Sequence, residues 1–148
     1  MFLIDSTLAE NIAFGIDKKD IDQEKLNQAI KLASLTELVE ELEHGVETMV
    51  GERGSLISGG QRQRVGIARA LYSGAEILFF DEATSALDSQ TETEITEAIN
   101  NLSKNDLTMF IIAHRITTLK YCNRIFKLDQ GKLDSSIEYT ELVEQELN

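Results

Sequence analysis

Apolar residues recur at helical spacing through the first half of the chain. Two successive stripes fit the i, i+3, i+4, i+7 face of an amphipathic helix, and they consist of Leu26, Ala29, Ile30 and Ala33, then Leu35, Leu38, Val39 and Leu42. Gly45 is a predicted stop for the second of them. Upstream, Thr7 and Glu10 have the T-x-x-E spacing of a capping box, which predicts a short helix ending near Gly15.

The second half alternates between helix and strand patterns. Ile77 to Phe80 and Met109 to Ala113 are short, continuous apolar runs, which are typical of strands buried on both faces of a parallel sheet. A helix from Gln61 to Tyr72, closed by Gly74, precedes the first run. A second helix, with a capping box at Ser89–Glu92, separates the runs, and its apolar stripe is Ile95, Ala98, Ile99 and Leu102.

The chain ends in a predicted hairpin and a last helix. Arg124 to Leu128 and Lys132 to Ile137 flank the turn signal Asp129-Gln130-Gly131, and the helix covers Thr140 to Leu147. Strands that alternate with helices predict an α/β fold with a parallel sheet. We expect residues from about 5 to about 73 to form an appended helical subdomain, and residues from about 74 to 148 to form the α/β part.

Composition excludes several classes of protein. The chain has 148 residues, one domain's worth, and its net charge of −12 argues against nucleic acid as a partner. The single Cys122 cannot form an internal disulfide and fits a reducing cytosol. No apolar run approaches the roughly 20 residues that span a bilayer, so a membrane role would need a partner or a missing segment. The apolar opening Met1-Phe2-Leu3-Ile4 suggests a sequence cut in mid-course.

Two carboxylates follow the first predicted strand. Asp81 and Glu82 would emerge at the carboxyl end of that strand, where parallel sheets bind ligands. One carboxylate could hold Mg²⁺, and the other could polarise an attacking water. Taken alone, the pair could equally well be an acidic helix start or turn.

A loop of small residues precedes the helix that begins near Gln61. Ser58, Gly59 and Gly60 offer consecutive backbone N–H groups at a helix start, which is an anion site by geometry and dipole, although a lone S-G-G is more often a turn. His114 ends the second strand and could donate to a phosphate oxygen, although a lone histidine is more often part of a core. No G-x-x-x-x-G-K-[ST] phosphate loop occurs, because the one Gly-Lys pair, Gly131-Lys132, has Phe126 and Leu133 at the flanking motif positions. The sequence therefore predicts half of a nucleotide site.

Together these motifs resemble the nucleotide-binding domain of ATP-binding cassette (ABC) transporters. The stretch Ile57-Ser58-Gly59-Gly60-Gln61 is similar to the family's signature loop, and Ile77 to Asp81 to its Walker B strand. Glu82 resembles the catalytic glutamate, Ser85-Ala86-Leu87-Asp88 the D-loop and His114 the switch histidine. The resemblance covers almost the whole chain from just past the glutamine loop and weakens after Gly131. It implies a partial P-loop NTPase core, the C-terminal part of a RecA-like domain, that lacks the Walker A loop.

Three features of the sequence resemble the exporter subtype. Ala83 replaces a proline that many other members carry, Gly51-Glu52-Arg53-Gly54 resembles the exporter X-loop, and Ser6 to Ile12 resembles the segment after the glutamine loop. The resemblance implies a transmembrane domain fused upstream and a position at the cytoplasmic face of the plasma (inner) membrane. The transported substrate is not encoded in this chain.

The resemblance also implies a mechanism and its cofactors, ATP and Mg²⁺. Two such domains dimerise head to tail, so Ser58, Gly59, Gly60 and Gln61 would face a nucleotide held by the partner domain. On the chain's own side, Asp81 would hold Mg²⁺, Glu82 would be the general base and His114 would contact the γ-phosphate. Within the D-loop-like stretch, Ser85 and Asp88 are expected nucleotide contacts.

The missing phosphate loop leads to two expectations. We expect no measurable ATP hydrolysis by the chain alone, because phosphoryl transfer depends mostly on positioning. The family's phosphate-loop strand lies between the strand that ends at His114 and the strand Arg124 to Leu128. Without it we expect unpaired edges, an uncovered apolar face and a marginal or self-associating chain.

Two alternatives remain open from the sequence. The chain could be a soluble ABC ATPase of the DNA repair type, although the exporter-like loop and the acidic charge count against that. It could also be a non-catalytic truncated product that donates its signature loop to a complete ABC domain, or occupies that domain's dimer interface.

Overall fold

The computed structural model describes residues 2–81, 89–102 and 107–146. The chain folds into two compact units, one made of residues 1–78 and 87–110 and the other of residues 79–86 and 111–148. Strands β1 (Ile77–Asp81) and β2 (Thr108–Ile112) contribute residues to both units. The predictions for Glu82, Ala83, Ser85 and Asp88 lie outside the described residues.

Helix α1 (Leu8–Ile12) opens the first unit with the predicted capping box. The Thr7 hydroxyl accepts from the Glu10 N–H at 3.2 Å, and the Glu10 carboxylate accepts from the Thr7 N–H at 3.3 Å. Next to it, Thr7 forms an antiparallel bridge with Met49, and Val50 N–H donates to the Ser6 carbonyl at 3.0 Å. The N-terminal segment thus pairs with Met49 and Val50, which precede the signature-like loop.

The helices of this unit pack through the predicted apolar stripes. Helices α2 (Gln23–Leu32), α3 (Thr36–Glu41), α4 (Gly59–Tyr72) and α5 (Ser89–Leu102) follow α1, and α4 contacts α1, α2 and α5. Short 3₁₀ helices span Lys18–Asp20, Gly45–Glu47 and Glu52–Gly54. Side chains of α1, α2, α4 and α5 form a continuous core, including Leu8, Ile12, Leu26, Val65, Ile95 and Leu102.

The predicted strand–helix–strand unit is present. Strands β1 and β2 pair in a small parallel sheet, with α5 between them in the sequence. The prediction that both strands are buried on both faces is wrong. Phe79 is 72% exposed whereas Phe80 is 8% exposed, and alternate residues of β2 are exposed as well. Within the described residues only one face of each strand is covered, so a continuous apolar run gives an alternating burial pattern.

The second unit carries the predicted hairpin and the last helix. Strands β3 (Ile125–Asp129) and β4 (Lys132–Ile137) pair antiparallel, joined by a turn in which Gln130 and Gly131 both have positive φ. Two positive-φ residues are the mark of a type I′ turn, which suits the right-handed twist of a hairpin. Helix α6 (Tyr139–Glu146) contacts the 3₁₀ helix Ile116–Leu119.

One helix start differs from the prediction. Helix α4 begins at Gly59, two residues before the predicted Gln61, and its N-cap is Ser58. The difference lies next to predicted site residues, where the exact N-cap decides which backbone N–H groups are available. Helix α5 begins at Ser89, the first residue of its predicted capping box.

Candidate functional site

The signature-like loop ends in a capping box that fixes its geometry. The Ser58 hydroxyl accepts from the Gln61 N–H at 3.1 Å, and the Gln61 side-chain oxygen accepts from the Ser58 N–H at 2.8 Å. Ser58 has extended backbone angles, φ −66° and ψ 165°, as an N-cap residue requires. Ser58 is exposed, Gly59 and Gln61 are half-buried and Gly60 is buried, so Ser58 is the most accessible residue of the loop.

Helix α4 gives this loop the chemistry of an anion site. By helix geometry, the N–H groups of Gly59 and Gly60, the first two helical residues, have no acceptor within the helix. The helix is 14 residues long and has no acidic residue in its first turn, so the positive end of its dipole is not offset there. Glycines also let a phosphate approach the backbone closely, because they have no Cβ.

Residues 51–57 contact the start of helix α4 and support the signature-like loop. Gly54 has φ +71°, and a Cβ at Gly54 would lie 2.7 Å from Leu3 Cδ1 and 3.0 Å from Arg62 Cδ. The Arg62 guanidinium donates from Nη1 to the carbonyls of Gly54 at 3.1 Å and Ile57 at 2.8 Å. These close neighbours and the Arg62 hydrogen bonds show that the X-loop-like segment lies directly against the helix that carries the candidate site.

Two residues predicted for the second half-site, Asp81 and His114, lie at or near the ends of the paired strands. Asp81 is the last residue of β1 and is exposed, while His114 is exposed and lies two residues beyond β2. Asp81 therefore lies at the carboxyl end of β1 and His114 just beyond the carboxyl end of β2, and these ends are on the same side because the strands are parallel, as predicted. Glu82, Ser85 and Asp88 lie outside the described residues.

The donor chemistry fits magnesium only in part. Asp81 supplies one exposed carboxylate, and Mg²⁺ in phosphate sites is often bound by one or two carboxylates together with substrate phosphates and water. The described residues contain no cluster of three or more His, Cys, Asp or Glu that could hold a metal by itself. Asp81 is therefore suited to a metal that arrives with a nucleotide.

The remaining candidate features have structural explanations. Gly131, the glycine of the Gly-Lys pair, has φ +76° in the hairpin turn, so this pair belongs to a turn and not to a phosphate loop. Burial raises the pKa of the Cys122 thiol, which makes it less reactive. Within the described ranges, no helix is long and apolar enough to cross a membrane.

Sequence reasoning missed two features of helix α4, one at its start in the candidate site and one in its last turn. The Ser58–Gln61 capping box has the same spacing as the Thr7–Glu10 box, so the S-x-x-Q pattern could have revealed it. The second feature is Arg69, whose guanidinium donates to the Asn11 carbonyl at 2.8 Å and lies 4.6 Å from the centre of the Phe14 ring. No local pattern predicts that contact, because the partners are separated by 58 positions.

These elements define the class of the protein. A helical region with a glycine-rich helix start, followed by a strand–helix–strand motif, is the architecture of part of an α/β nucleotide-binding domain. Residues 2–85 match the family described as ABC transporter. The chain belongs to the ABC transporter family, which confirms the resemblance inferred from its motifs.

The relatives agree with the exporter subtype. An ATP-dependent lipid A-core flippase of Francisella tularensis is 43% identical over 143 residues, which are 97% of this chain and 23% of the flippase. The flippase of the same description from Chromobacterium violaceum is 44% identical over 143 residues, 97% of this chain and 24% of the flippase. The chain thus spans about a quarter of the length of these curated relatives.

A solved structure of an ABC exporter supports the same assignment of the fold. It is described as a bacterial Atm1-family ABC exporter with ATP bound, and it matches with a TM-score of 0.78 and 36% identity. The match covers 98% of this chain and 25% of the exporter chain. Since the relatives are exporters, they do not support the DNA repair alternative.

Proposed function

We propose that this chain is the part of an ABC exporter's nucleotide-binding domain that carries the signature loop and the catalytic strand ends. In the whole transporter it would couple ATP binding and hydrolysis to transport of a substrate across the membrane, from the cytoplasmic face. Its partners would be a second nucleotide-binding domain and an upstream transmembrane domain. The observation that carries the proposal is the Ser58–Gln61 loop at the start of α4, in a chain whose family binds ATP.

The proposal gives the loop one face of a shared nucleotide site. The N–H groups of Gly59 and Gly60 point out of the first turn of α4, where the helix dipole favours a negative charge. The Ser58 Oγ accepts one hydrogen bond in the capping box, which leaves its hydroxyl hydrogen free to donate to a phosphate oxygen. The loop would therefore bind the γ-phosphate of ATP held by the phosphate loop of the partner domain.

The strand ends would serve the opposite site. In the proposal Asp81 holds Mg²⁺, Glu82 accepts a proton from the attacking water, and His114 donates to the γ-phosphate. Ser85 and Asp88 would contact the nucleotide across the dimer. Bound Mg²⁺ would neutralise charge on the phosphates, and the position of Asp81 at the end of β1 fits that task.

A steady-state phosphate-release assay tests the expected inactivity of the chain alone. We expect no turnover above background with Mg²⁺ and ATP, because no phosphate loop is available to anchor the nucleotide. The matched control is Glu82→Gln, which removes the proposed base but keeps the size of the side chain. Turnover by the wild-type chain that disappears in Glu82→Gln would contradict the expectation and would show that the chain is an enzyme by itself.

The non-catalytic alternative is favoured by one observation: the signature-like loop is intact, whereas the chain's Gly-Lys pair lies in a hairpin turn. Its test is association with a complete nucleotide-binding domain, such as that of the F. tularensis flippase, with Mg²⁺ and a non-hydrolysable ATP analogue. We expect nucleotide-dependent association that weakens in Ser58→Ala. Association that is unchanged by nucleotide would count against any role of this loop in a shared site.

A further inference from the structure

The peptide unit between Ile57 and Ser58 is held at both ends by side chains of α4. Its oxygen accepts from Arg62 Nη1 at 2.8 Å, and its N–H donates to the Gln61 side-chain oxygen at 2.8 Å. The two side chains are neighbours in the first turns of the helix. They therefore hold the peptide that leads into Ser58 by its C=O and its N–H.

This arrangement fixes the orientation of the loop. A peptide unit is planar, so fixing its C=O and its N–H leaves no freedom to rotate about the chain direction. The same plane leads into Ser58, whose hydroxyl is held by the Gln61 N–H at 3.1 Å. As a result, the directions of the Ser58 hydroxyl and of the following N–H groups are set before any ligand binds.

The arrangement engages the acceptor half of the Gln61 amide. Its oxygen accepts the Ser58 N–H, whereas a bond to a phosphate would have to come from the two N–H groups of the amide nitrogen. A carboxylate would be an equally good acceptor at the start of a helix, where negative charge is favoured. A carboxylate in direct contact with a phosphate, in contrast, would be repelled.

We propose that Gln61 and Arg62 are positioning residues that hold the Ile57–Ser58 peptide so that Ser58, Gly59 and Gly60 face the phosphate. Gln61 acts through Ser58 and not by contact with the nucleotide. The inference rests on the proposed function of the loop and assigns to Gln61 a role different from the one its motif suggests.

The experiment compares Gln61→Glu with Gln61→Ala in the full chain. Each is titrated with the complete flippase domain, Mg²⁺ and a non-hydrolysable ATP analogue, and association is measured with and without nucleotide. Hydrogen exchange of the Ser58 N–H is followed in parallel. The matched controls are Gln28→Glu and Gln28→Ala, which make the same changes at an exposed position of α2.

A positioning role predicts a definite order. Gln61→Glu should keep both the protected Ser58 N–H and the nucleotide-dependent affinity to within about threefold of the wild type, while Gln61→Ala should lose protection and about fivefold or more in affinity. Both Gln28 variants should behave as the wild type. Arg62→Met keeps the aliphatic stem beside Gly54 but removes the donor, and it should resemble Gln61→Ala.

The opposite order would overturn the inference. If Gln61→Glu binds less tightly than Gln61→Ala in the presence of nucleotide, Gln61 contacts the phosphate directly. Equal affinity of all variants would overturn it as well, because the peptide would then need no clamp. A wild-type chain that shows no nucleotide-dependent association would instead contradict the proposed function itself.

Discussion

Asn11 shows how one polar side chain can organise a whole segment. It is completely buried, and its amide donates to the carbonyls of Ile4 and Thr7 at 3.0 Å each while its oxygen accepts the Ile4 N–H at 3.0 Å. The same oxygen also accepts from Arg69 at 3.3 Å. Asn11 therefore joins the N-terminal segment to α4 through bonds that a helix pattern does not reveal.

Replacing this side chain should destabilise the protein clearly. We expect Asn11→Ala to lower the free energy of unfolding by about 2–3 kcal/mol, because several buried polar groups lose their partner at once. Urea denaturation measures the difference. Asn27→Ala, at an exposed position of α2, is the control and should change stability by less than about 0.5 kcal/mol. Equal effects of the two substitutions would show that the Asn11 network contributes nothing specific.

Glu10 gives a prediction for pH. Hydrogen bonds from the Ser6 and Thr7 side chains lower the pKa of the Glu10 carboxyl below its usual value of 4.5. A lowered pKa means that the ionised form favours the folded state, so this contribution is present above the unfolded pKa and is lost as the pH falls through the folded one. Between about pH 6 and about pH 3 the wild type should therefore lose more stability than Glu10→Gln. Urea midpoints across this range check it, and parallel curves would contradict it.

At the scale of elements, local sequence patterns predict the structure correctly where it depends on residues that are close together in the sequence. The Thr7–Glu10 cap, the hairpin turn and the apolar stripe of α5 were all correctly predicted. Burial of β1 was not, because it depends on what covers each face of the sheet and not on the run Ile77 to Phe80 itself. The contact between residues 51–57 and α4 was not predicted for the same reason, since it depends on hydrogen bonds from Arg62 to carbonyls of the loop.

Two glycines with similar positive φ angles make it possible to distinguish the cost of backbone strain from the cost of a steric clash. Gly54 has φ +71° and close neighbours, whereas Gly74 has φ +82° and no described atom within 4 Å of the position that a Cβ would take. Gly74→Ala should cost about 1 kcal/mol, the usual penalty for a left-handed alanine. Gly54→Ala should cost at least about 2 kcal/mol more, since the methyl group would overlap Leu3 in a packed region. Chemical denaturation of both variants measures the difference, and equal costs would show that the loop moves aside easily.

At the scale of the whole molecule, exposed apolar strand residues and net charge have opposite effects on self-association of the chain. Phe79 and Ile112 are both more than half exposed on their strands, and such surfaces favour association of chains. The net charge of −12 repels a second copy of the chain. The balance should therefore depend on ionic strength, because salt screens the repulsion and leaves the apolar attraction intact.

We expect the isolated chain to self-associate, and more strongly in added salt. Sedimentation velocity over a range of concentrations at about 0.05 M and about 0.5 M salt measures this. Phe79→Thr keeps a residue of high strand propensity in β1 but removes the exposed ring, so it should shift the chain towards monomer without a large loss of stability. Phe80→Thr is the matched control on the covered side and should instead lower the free energy of unfolding. A chain that remains monomeric at every concentration and salt, and that melts sharply and reversibly, would show that this apolar face does not bind a second copy.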